Sequence, residues 1–374
     1  MEQPRGRGRL AGLLSVILTA GAFSAFAGTQ SAIAADEAAL RDTVTARIVQ
    51  MAQPRNGKAV TEGRTEVDVM RTAGVDWAFG SAVALAPPEP DAYPEGWLFV
   101  AHRQADEWTV AFEGDVDFPK LTAAAPAEVV SAPEKEIFAS HGPATSRKAP
   151  RLDAKPFAGG DFRTGMRLPY AIGQSWRLTG GPHGGVRQSI DLAGGDGRVL
   201  ATLAGTFYVM CSSNRGWVRV AHDRGYSTDY YHLWNNRTAG GTVSAGTYLG
   251  DIGNDVSCGG SSSGPHVHFS LRQNGVYVGI AAHNFGKWQV YNGSAEYQGY
   301  ALHGSAYAGI GGSLYNYGPL GFTQGIVDTN GGGVVNKRSG PGTGYAVVGT
   351  AADGTWVSDA FLWTGTGNPV NGRC

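Results

Sequence analysis

The sequence has little charge, few cysteines and, beyond its N-terminus, no long apolar run. Charged residues make up 16% of the 374, and the formal net charge is −1. Such a balance provides no field that would steer the chain to nucleic acid, and it argues against extensive disorder. No segment after the N-terminus has the roughly 20 apolar residues that a membrane span needs. We therefore expect a folded protein that neither binds nucleic acid nor spans a membrane.

The N-terminus has the pattern of a targeting signal. Arg5, Arg7 and Arg9 precede an apolar stretch that ends in small residues, the pattern of a secretory signal peptide. The "AIA" at 32–34 predicts cleavage after Ala34, and "AFA" at 25–27 is an alternative site. A membrane anchor is the competing interpretation, but the Gly, Ser and Thr residues within the segment disfavour it. The sequence thus predicts a signal peptide at 1–34 and a secreted, extracellular protein.

Glycine divides the mature chain in two, because 45 of the 57 glycines follow Pro156. Residues 35–135 predict a small α+β module, with a helix marked by the apolar spacing of Leu40, Val44, Ile48 and Met51. The Ala-, Pro- and Ser-rich segment 136–157 predicts an exposed linker, which is a natural protease target. An exported module followed by a cleavable linker suggests a pro-region.

Residues 158–320 predict an antiparallel β domain. Strand-like segments flank Arg224-Gly225 and Asn274-Gly275, both typical of tight β-hairpin turns, and no helix of useful length is expected before residue 300. Short strands separated by glycine turns favour a mainly β fold class for the chain as a whole.

Three cysteines leave one without a partner inside the chain. Export permits disulfides, and Cys211 and Cys258 flank one β-rich region, so we predict that these two pair. Cys374, the last residue, is then left over, which is an unusual feature in a secreted protein.

The segment "SSSGPHVHFSL" places His266 and His268 on one face of a predicted strand, because successive side chains of a strand point to opposite faces. Two adjacent imidazoles are poor core residues, since each carries a polar nitrogen that needs a partner. The same domain offers His183 and Asp191 in "GGPHGGVRQSID" and His232 in "YYHL". Catalytic zinc takes about three such ligands and keeps one position open for water.

Taken together, the ordered set of His and Asp, then "VRVAHDRGYSTDYYHL", then "GPHVHF" resembles the lysostaphin-type zinc endopeptidases of bacterial cell walls. The spacing from His183 to Asp191 and the "GPH" motif are most similar to the beta-lytic, staphylolysin-like branch. The resemblance covers about residues 160–300. It implies an antiparallel β-sheet metallopeptidase domain with one Zn²⁺ per chain.

Residue by residue, the resemblance implies zinc ligands and catalytic groups. His183, Asp191 and His268 match the ligands, and His232 and His266 match the two catalytic histidines that do not bind the metal. A histidine suits proton transfer near neutral pH, and a second one suits a developing oxyanion. Tyr297 matches a substrate-side tyrosine of the beta-lytic branch.

Further candidate site residues are suggested by position alone. Aromatic residues of the hairpin that includes Tyr230 would wall a substrate groove. His141, in the predicted linker, is an alternative fourth zinc ligand for an uncut precursor. His222 is expected to face outward or to cap a turn.

Residues 321–374 resemble an SH3-like wall-binding domain in "VVNKRSGPGTGYAVVGTAADGT" and "WVSDAFLWTGTGNPVNGRC". A central hairpin and a cysteine partner for Cys374 are missing, so the lobe is expected to be incomplete: either it is degenerate or the sequence has an internal gap.

The sequence thus predicts a secreted zinc endopeptidase, a monomer, that cuts peptide stems and cross-bridges of peptidoglycan at or near glycine. Two alternatives remain open: a catalytically silent zinc-fold module that regulates wall enzymes, and a broader protease acting on glycine-rich proteins such as elastin.

Overall fold

The computed structural model of the chain describes residues 21–52, 61–89, 92–143, 164–281, 283–303, 306–320, 324–326, 333–339, 344–352 and 355–358. Within these residues three α-helices stand against 23 strands, and every strand pairing is antiparallel. The predicted mainly β fold class is confirmed.

The N-terminal module is an α+β unit, as predicted. Its four strands form one antiparallel sheet in the order of the chain. Its elements are α1 (Gly21–Met51), β1 (Thr65–Ala73), β2 (Trp77–Ala84), β3 (Glu95–Gln104), β4 (Glu107–Phe112), α2 (Phe118–Ala124) and α3 (Ala132–Phe138).

Helix α1 covers one face of this sheet. Leu40, Val44 and Ile48 are buried against it, as their spacing predicts. The helix runs through the predicted cleavage point at Ala34, and residues 1–20 of the predicted signal lie outside the described residues. Within the described part of the chain, no helix combines the length and apolar character that crossing a membrane requires.

The other face of the module's sheet shares a core with the glycine-rich region that follows. Phe79, Leu98 and Val100 pack in one cluster with Tyr208 and Trp217. Because successive strand residues face opposite sides, the same two strands contact both α1 and the next domain. The module therefore lies directly on the β domain.

The predicted linker begins later than residue 136. Helix α3 ends at Phe138, and His141 is fully buried, so the chain is packed up to residue 143. Residues 144–163, the rest of the predicted linker and the start of the β domain, lie outside the described residues.

The β domain is built on one nine-stranded sheet. Its order is β11-β8-β9-β10-β13-β6-β5-β19, with β14 paired to β13. One face carries the apolar core, which includes Leu178, Ile190, Val218 and Phe269, and the other face meets the N-terminal module. The strands of the domain are β5 (Ser175–His183), β6 (Ser189–Gly194), β7 (Arg198–Leu200), β8 (Gly205–Val209), β9 (Gly216–Ala221), β10 (Tyr226–Leu233), β11 (Gly241–Val243), β12 (Tyr248–Asp251), β13 (Val267–Gln273), β14 (Val276–Tyr277), β15 (Asn284–Phe285), β16 (Trp288–Asn292), β17 (Gly299–His303), β18 (Ala306–Gly309) and β19 (Ser313–Tyr315).

Both predicted hairpin turns are present. Arg224 and Gly225 join β9 to β10 with φ angles of 55° and 75°, and Asn274 and Gly275 join β13 to β14 with φ angles of 53° and 76°. Two consecutive positive φ angles match the twist of the flanking strands, which is why Asn-Gly is favoured there. These turns align the central strands that carry the histidines.

The C-terminal segment forms two small pairs among its described residues. Strand β20 (Gln324–Ile326) pairs with β23 (Trp356–Ser358), and β21 (Val334–Arg338) pairs with β22 (Val347–Ala352). These separate two-stranded sheets do not close a barrel in the described part of the chain, and the SH3-like tail is not confirmed.

Cys211 and Cys258 form a disulfide with Cα atoms 6.0 Å apart, as predicted. It joins the chain after β8 to the loop that precedes His266. Cys374 lies outside the described residues.

Candidate metal centre

Three side chains with metal-binding atoms meet on neighbouring strands. His183 ends β5, Asp191 lies in β6 and His268 lies in β13. Asp191 stands directly opposite His268 in the antiparallel pairing, so the two side chains share one face. Gly180 leaves room for them, since a Cβ there would lie 2.4 Å from Asp191 Oδ2. The pairing of β5 with β6 is irregular, because its register shifts between Leu178 and Gly180 and again between Gly180 and His183.

The ligand atoms of these three residues form a small triangle. His183 Nε2 lies 3.1 Å from His268 Nδ1 and 3.6 Å from Asp191 Oδ1. His268 Nδ1 and Asp191 Oδ1 are 3.3 Å apart. His183 Nδ1 donates to the Gly181 carbonyl at 2.7 Å, which leaves the Nε2 lone pair directed into the triangle. Tetrahedral zinc with bonds of about 2.0–2.1 Å holds its ligand atoms roughly 3.3 Å apart. The observed separations fit that ion.

The charge states of the triangle also suit a cation. Burial lowers the pKa of His183 to about 4, so the ring is neutral at pH 7 and its lone pair is available. Burial alone would raise the pKa of Asp191, but the imidazoles of His183 and His268 hold it below its usual range. Asp191 Oδ1 is buried without a hydrogen bond, which is costly for a carboxylate unless a cation lies beside it.

His232 and His266 lie at the edge of the triangle. His232 Nδ1 donates to the Asp255 carbonyl at 2.8 Å and His266 Nδ1 to the Gly264 carbonyl at 2.7 Å, so each ring keeps an acceptor at Nε2. The two ring centroids are 4.8 Å apart, and His266 Nε2 is 3.5 Å from Asp191 Oδ1. An irregularity in β10 gives His232 a φ of 70° and turns it toward the site. Burial lowers the pKa of His232 to about 3.

The two tyrosines predicted at the substrate side differ in position. Tyr297 stacks on His183, with ring centroids 4.0 Å apart, and lines the cavity above the triangle. Tyr230 is fully buried in the core, and its hydroxyl is bonded to Thr202 and Thr228. The prediction for Tyr230 is wrong. Regular alternation would place Tyr230 on the same face as His232, but the irregularity between Tyr230 and Leu233 turns His232 to the site and leaves Tyr230 in the core.

Two other histidines also differ from expectation. His141 is not at the site, because its ring bonds Glu113 at 2.9 Å and the carbonyl of His222 at 2.9 Å. His222 is fully buried rather than outward-facing, with bonds to the Ala204 carbonyl and Thr228.

Sequence inspection missed one residue of the site, Tyr93 of the N-terminal module. It lines the cavity of about 210 Å³ over the triangle together with Ala92, Tyr297 and the Ser261–Ser263 loop. The Tyr93 hydroxyl accepts a hydrogen bond from the Gly185 N–H at 2.7 Å, and its ring lies 6.2 Å from that of His268. A separation of 92 residues between the bonded partners leaves no local signal by which to find it.

Known proteins share this part of the chain. The model of Peptidase family M23 matches residues 185–280, which hold four of the five site residues. The beta-lytic metalloendopeptidase of Lysobacter enzymogenes is 34% identical over 129 residues, which are 30% of this chain and 71% of that protein. The chain belongs to peptidase family M23. The resemblance to the beta-lytic branch is thereby confirmed.

Other M23 proteins match over the same region. Protease LasA of Pseudomonas aeruginosa is 35% identical over 148 residues, which are 35% of this chain and 35% of that protein. The match therefore spans about a third of the length of LasA. Among solved structures, the deep-sea M23 metalloprotease pseudoalterin is 30% identical, with 42% of this chain and 99% of that chain covered and a TM-score of 0.37.

Proposed function

We propose that this M23 protein is a secreted, zinc-dependent endopeptidase that hydrolyses peptide cross-links of bacterial peptidoglycan at or near glycine. One observation carries the proposal: the His183–Asp191–His268 triangle has the separations that zinc needs, with two more imidazoles beside it. In the same proposal residues 1–34 are the export signal, and the peptide stems and cross-bridges of the wall are the substrate. We further propose that the enzyme acts as a monomer.

The five residues divide the work. His183, Asp191 and His268 would hold the ion, which would polarise the scissile carbonyl and acidify a water molecule. His232 and His266 are held by backbone carbonyls with Nε2 directed to the site, so either can take a proton from water and return it to the leaving amine. Protonated, the same nitrogen can donate to the developing oxyanion.

The loop after Cys258 packs tightly against the N-terminal module. Its glycines at 259 and 260 have φ angles of 88° and 83°. A Cβ on Gly259 would lie 2.1 Å from the Ala86 carbonyl oxygen, and one on Gly260 would lie 2.4 Å from that of Ala92. Glycine at both positions therefore allows the module to lie this close to the loop.

Cleavage assays decide between this function and its two alternatives. The chain, cut within residues 144–163, is incubated with bacterial walls, pentaglycine and elastin, and bound metal is measured. We expect about one zinc per chain, lysis of walls and cleavage of pentaglycine, with loss on chelation and recovery on adding zinc. Bound zinc without cleavage of any substrate would favour the silent regulatory module, and faster cleavage of elastin would favour the broader protease.

We also propose that residues 35–143 form a pro-region that restrains the enzyme. Ala92 and Tyr93 line the cavity over the triangle, and the Ala86 N–H donates to the Cys258 carbonyl at 3.1 Å. Residues of the module therefore form part of the wall around the histidines. Substrate and pro-region would compete for the same space.

Tyr93→Ala should raise the activity of the uncut chain several-fold, because it removes the ring above His268 and the bond to Gly185. The measurement is the rate of pentaglycine cleavage with the chain shown to be intact by mass. Tyr307→Ala, at a tyrosine 66% exposed elsewhere in the domain, is the matched control and should leave the rate unchanged. An intact wild-type chain as active as its cut form would contradict restraint.

A further inference from the structure

A carboxylate of the N-terminal module is buried inside the face of the catalytic sheet. Glu113 accepts from Arg219 Nη1 at 2.9 Å and from Ser227 Oγ at 2.9 Å, and His141 Nδ1 lies 2.9 Å from the same carboxylate. Glu113 and Arg219 are both at most 1% exposed. Burial alone would raise the pKa of Glu113, but Arg219, His141 and Arg272 hold it far below its usual value. The group is therefore a carboxylate anion at neutral pH.

On the catalytic side, this pocket has an excess of positive charge. Arg219 forms a two-bond pair with Asp229, at 2.6 and 2.8 Å. Arg272, also buried, has its guanidinium carbon 4.5 Å from the centre of the Tyr277 ring, and Tyr277 donates to Asp229 at 2.9 Å. The β domain thus supplies two guanidinium groups and one carboxylate, and Glu113 of the module balances the remaining charge. If the module were removed, Arg219 would lose the carboxylate of Glu113 as a partner.

The pocket lies on the same face as the metal triangle. Arg272 is four residues beyond His268 on β13, which at 3.4 Å per residue is about 14 Å along the strand. Ser270 follows His268 on this face of β13, and it pairs with Asp229 of β10, which in turn pairs with Arg219 of β9. A groove of about 350 Å³ is lined by Arg272, Gln188 and Tyr277, and Tyr93 lines both this groove and the metal cavity. Arg272 thus links the Glu113 pocket to this groove, and Tyr93 links the groove to the metal cavity.

We propose that Arg219, Ser227 and Arg272 form a carboxylate-binding subsite for the peptide substrate, and that Glu113 is its stand-in while the module is docked. Ser227 lies opposite Arg272 in the strand pairing, so the recognised carboxylate is about 14 Å from the metal along the strands, or roughly four extended residues from the scissile bond. The fork of Arg219 holds Asp229, and this pair fixes the direction in which the remaining Nη1 donates to the carboxylate of the subsite. This subsite rests on the proposed peptidase function for its substrate role but not for its ability to bind a carboxylate.

The first experiment empties the subsite in the full chain. Glu113→Ala leaves a cavity that acetate should fill, so the Tm of this variant should rise with acetate concentration and not with acetamide. Glu113→Gln fills the same volume with an uncharged amide and, like the wild-type chain, should not respond; both retain the metal cavity and control for acetate bound there. Adding Ser227→Ala to Glu113→Ala should weaken the acetate response without disturbing the Arg219–Asp229 pair. Equal responses to acetate and acetamide would overturn the subsite.

The second experiment tests the substrate role without needing turnover. The chain is cut within residues 144–163, and release of the N-terminal module is followed by size-exclusion chromatography as peptide is added. A peptide with a free carboxylate four residues from its central glycine should release the module at about a tenfold lower concentration than the same peptide amidated. Arg219→Lys, which keeps the charge but loses the fork, should shrink that ratio.

The two ways to fail are distinguishable. Equal release by the free and the amidated peptide would overturn the substrate role, even if walls are hydrolysed. A preference for the free carboxylate in a chain that hydrolyses nothing would leave the subsite standing and contradict the proposed peptidase. A peptide carrying its carboxylate on a side chain, compared with one carrying it at the C-terminus, separates the two sources of the group.

Discussion

Replacing His268 with alanine should abolish zinc binding together with hydrolysis, whereas replacing His266 should lower turnover sharply and leave zinc near one equivalent. His268 Nδ1 lies 3.1 Å from His183 Nε2 and 3.3 Å from Asp191 Oδ1, and it belongs with them to one group of three metal-binding side chains, while His266 stands beside that group. Loss of general acid–base assistance lowers turnover by about 10²–10⁴-fold, so a residual rate should remain measurable in His266→Ala.

The remaining site residues extend this test. His183→Ala and Asp191→Ala should behave like His268→Ala, and His232→Ala should behave like His266→Ala. Metal content and pentaglycine cleavage are measured on each purified variant. His303→Ala is the control, because His303 stacks on Tyr317 with ring centroids 4.3 Å apart and lies outside the metal cavity. Zinc lost from His266→Ala but retained by His268→Ala would reverse the assignment.

Cys211→Ala and Cys258→Ala should each lower the free energy of unfolding by about 4 kcal/mol, the value that the chain-entropy model assigns to a loop of this size. The bond spans 47 residues and joins the loop that leads into His266. Both cysteines are at most 1% exposed, so alanine avoids burying a new polar group. Urea unfolding of the two single variants and of the double variant measures the effect.

The double variant is the internal control for the disulfide. If the two cysteines act only through their bond, the free energy of unfolding of the double variant should agree with that of each single variant to within a few tenths of a kcal/mol. In the native wild-type chain, a thiol reagent should modify Cys374 and neither of the other two. Modification of Cys258 in the folded protein would contradict the pairing.

Much of the metal centre could be predicted from the sequence because its signals are local. The alternation of a strand places His266 and His268 on one face whatever surrounds them. Asn274-Gly275 predicts its own turn, since few other residue pairs accept two positive φ angles. The periodic Leu40, Val44 and Ile48 likewise predicted a helix with one buried face.

The errors fall where a side chain's environment is set by distant parts of the chain. Tyr230 and Tyr231 are adjacent and chemically alike, and only the packing of the sheet decides that Tyr230 enters the core while the Tyr231 hydroxyl bonds Gly259. His141 seemed to lie in a linker, but Glu113 and the carbonyl of His222 hold it inside the domain interface. No sequence window contains both partners of such contacts.

By itself, the sequence indicated that two imidazoles share one face of a strand and that Cys211 and Cys258 pair, because residue type, strand alternation and the cysteine count are local or compositional. The roles of the five site residues followed from the family resemblance. Only the tertiary structure decided what covers the site. Tyr93 reaches the metal cavity and Glu113 reaches Arg219 because a sheet of the N-terminal module packs on the sheet of the β domain, and the bonded partners are 92 and 106 residues apart in the sequence. The reason is physical: shared burial of Phe79, Leu98 and Trp217 holds the two sheets together. The free energy of burying apolar surface does not depend on how far apart the residues are in the sequence.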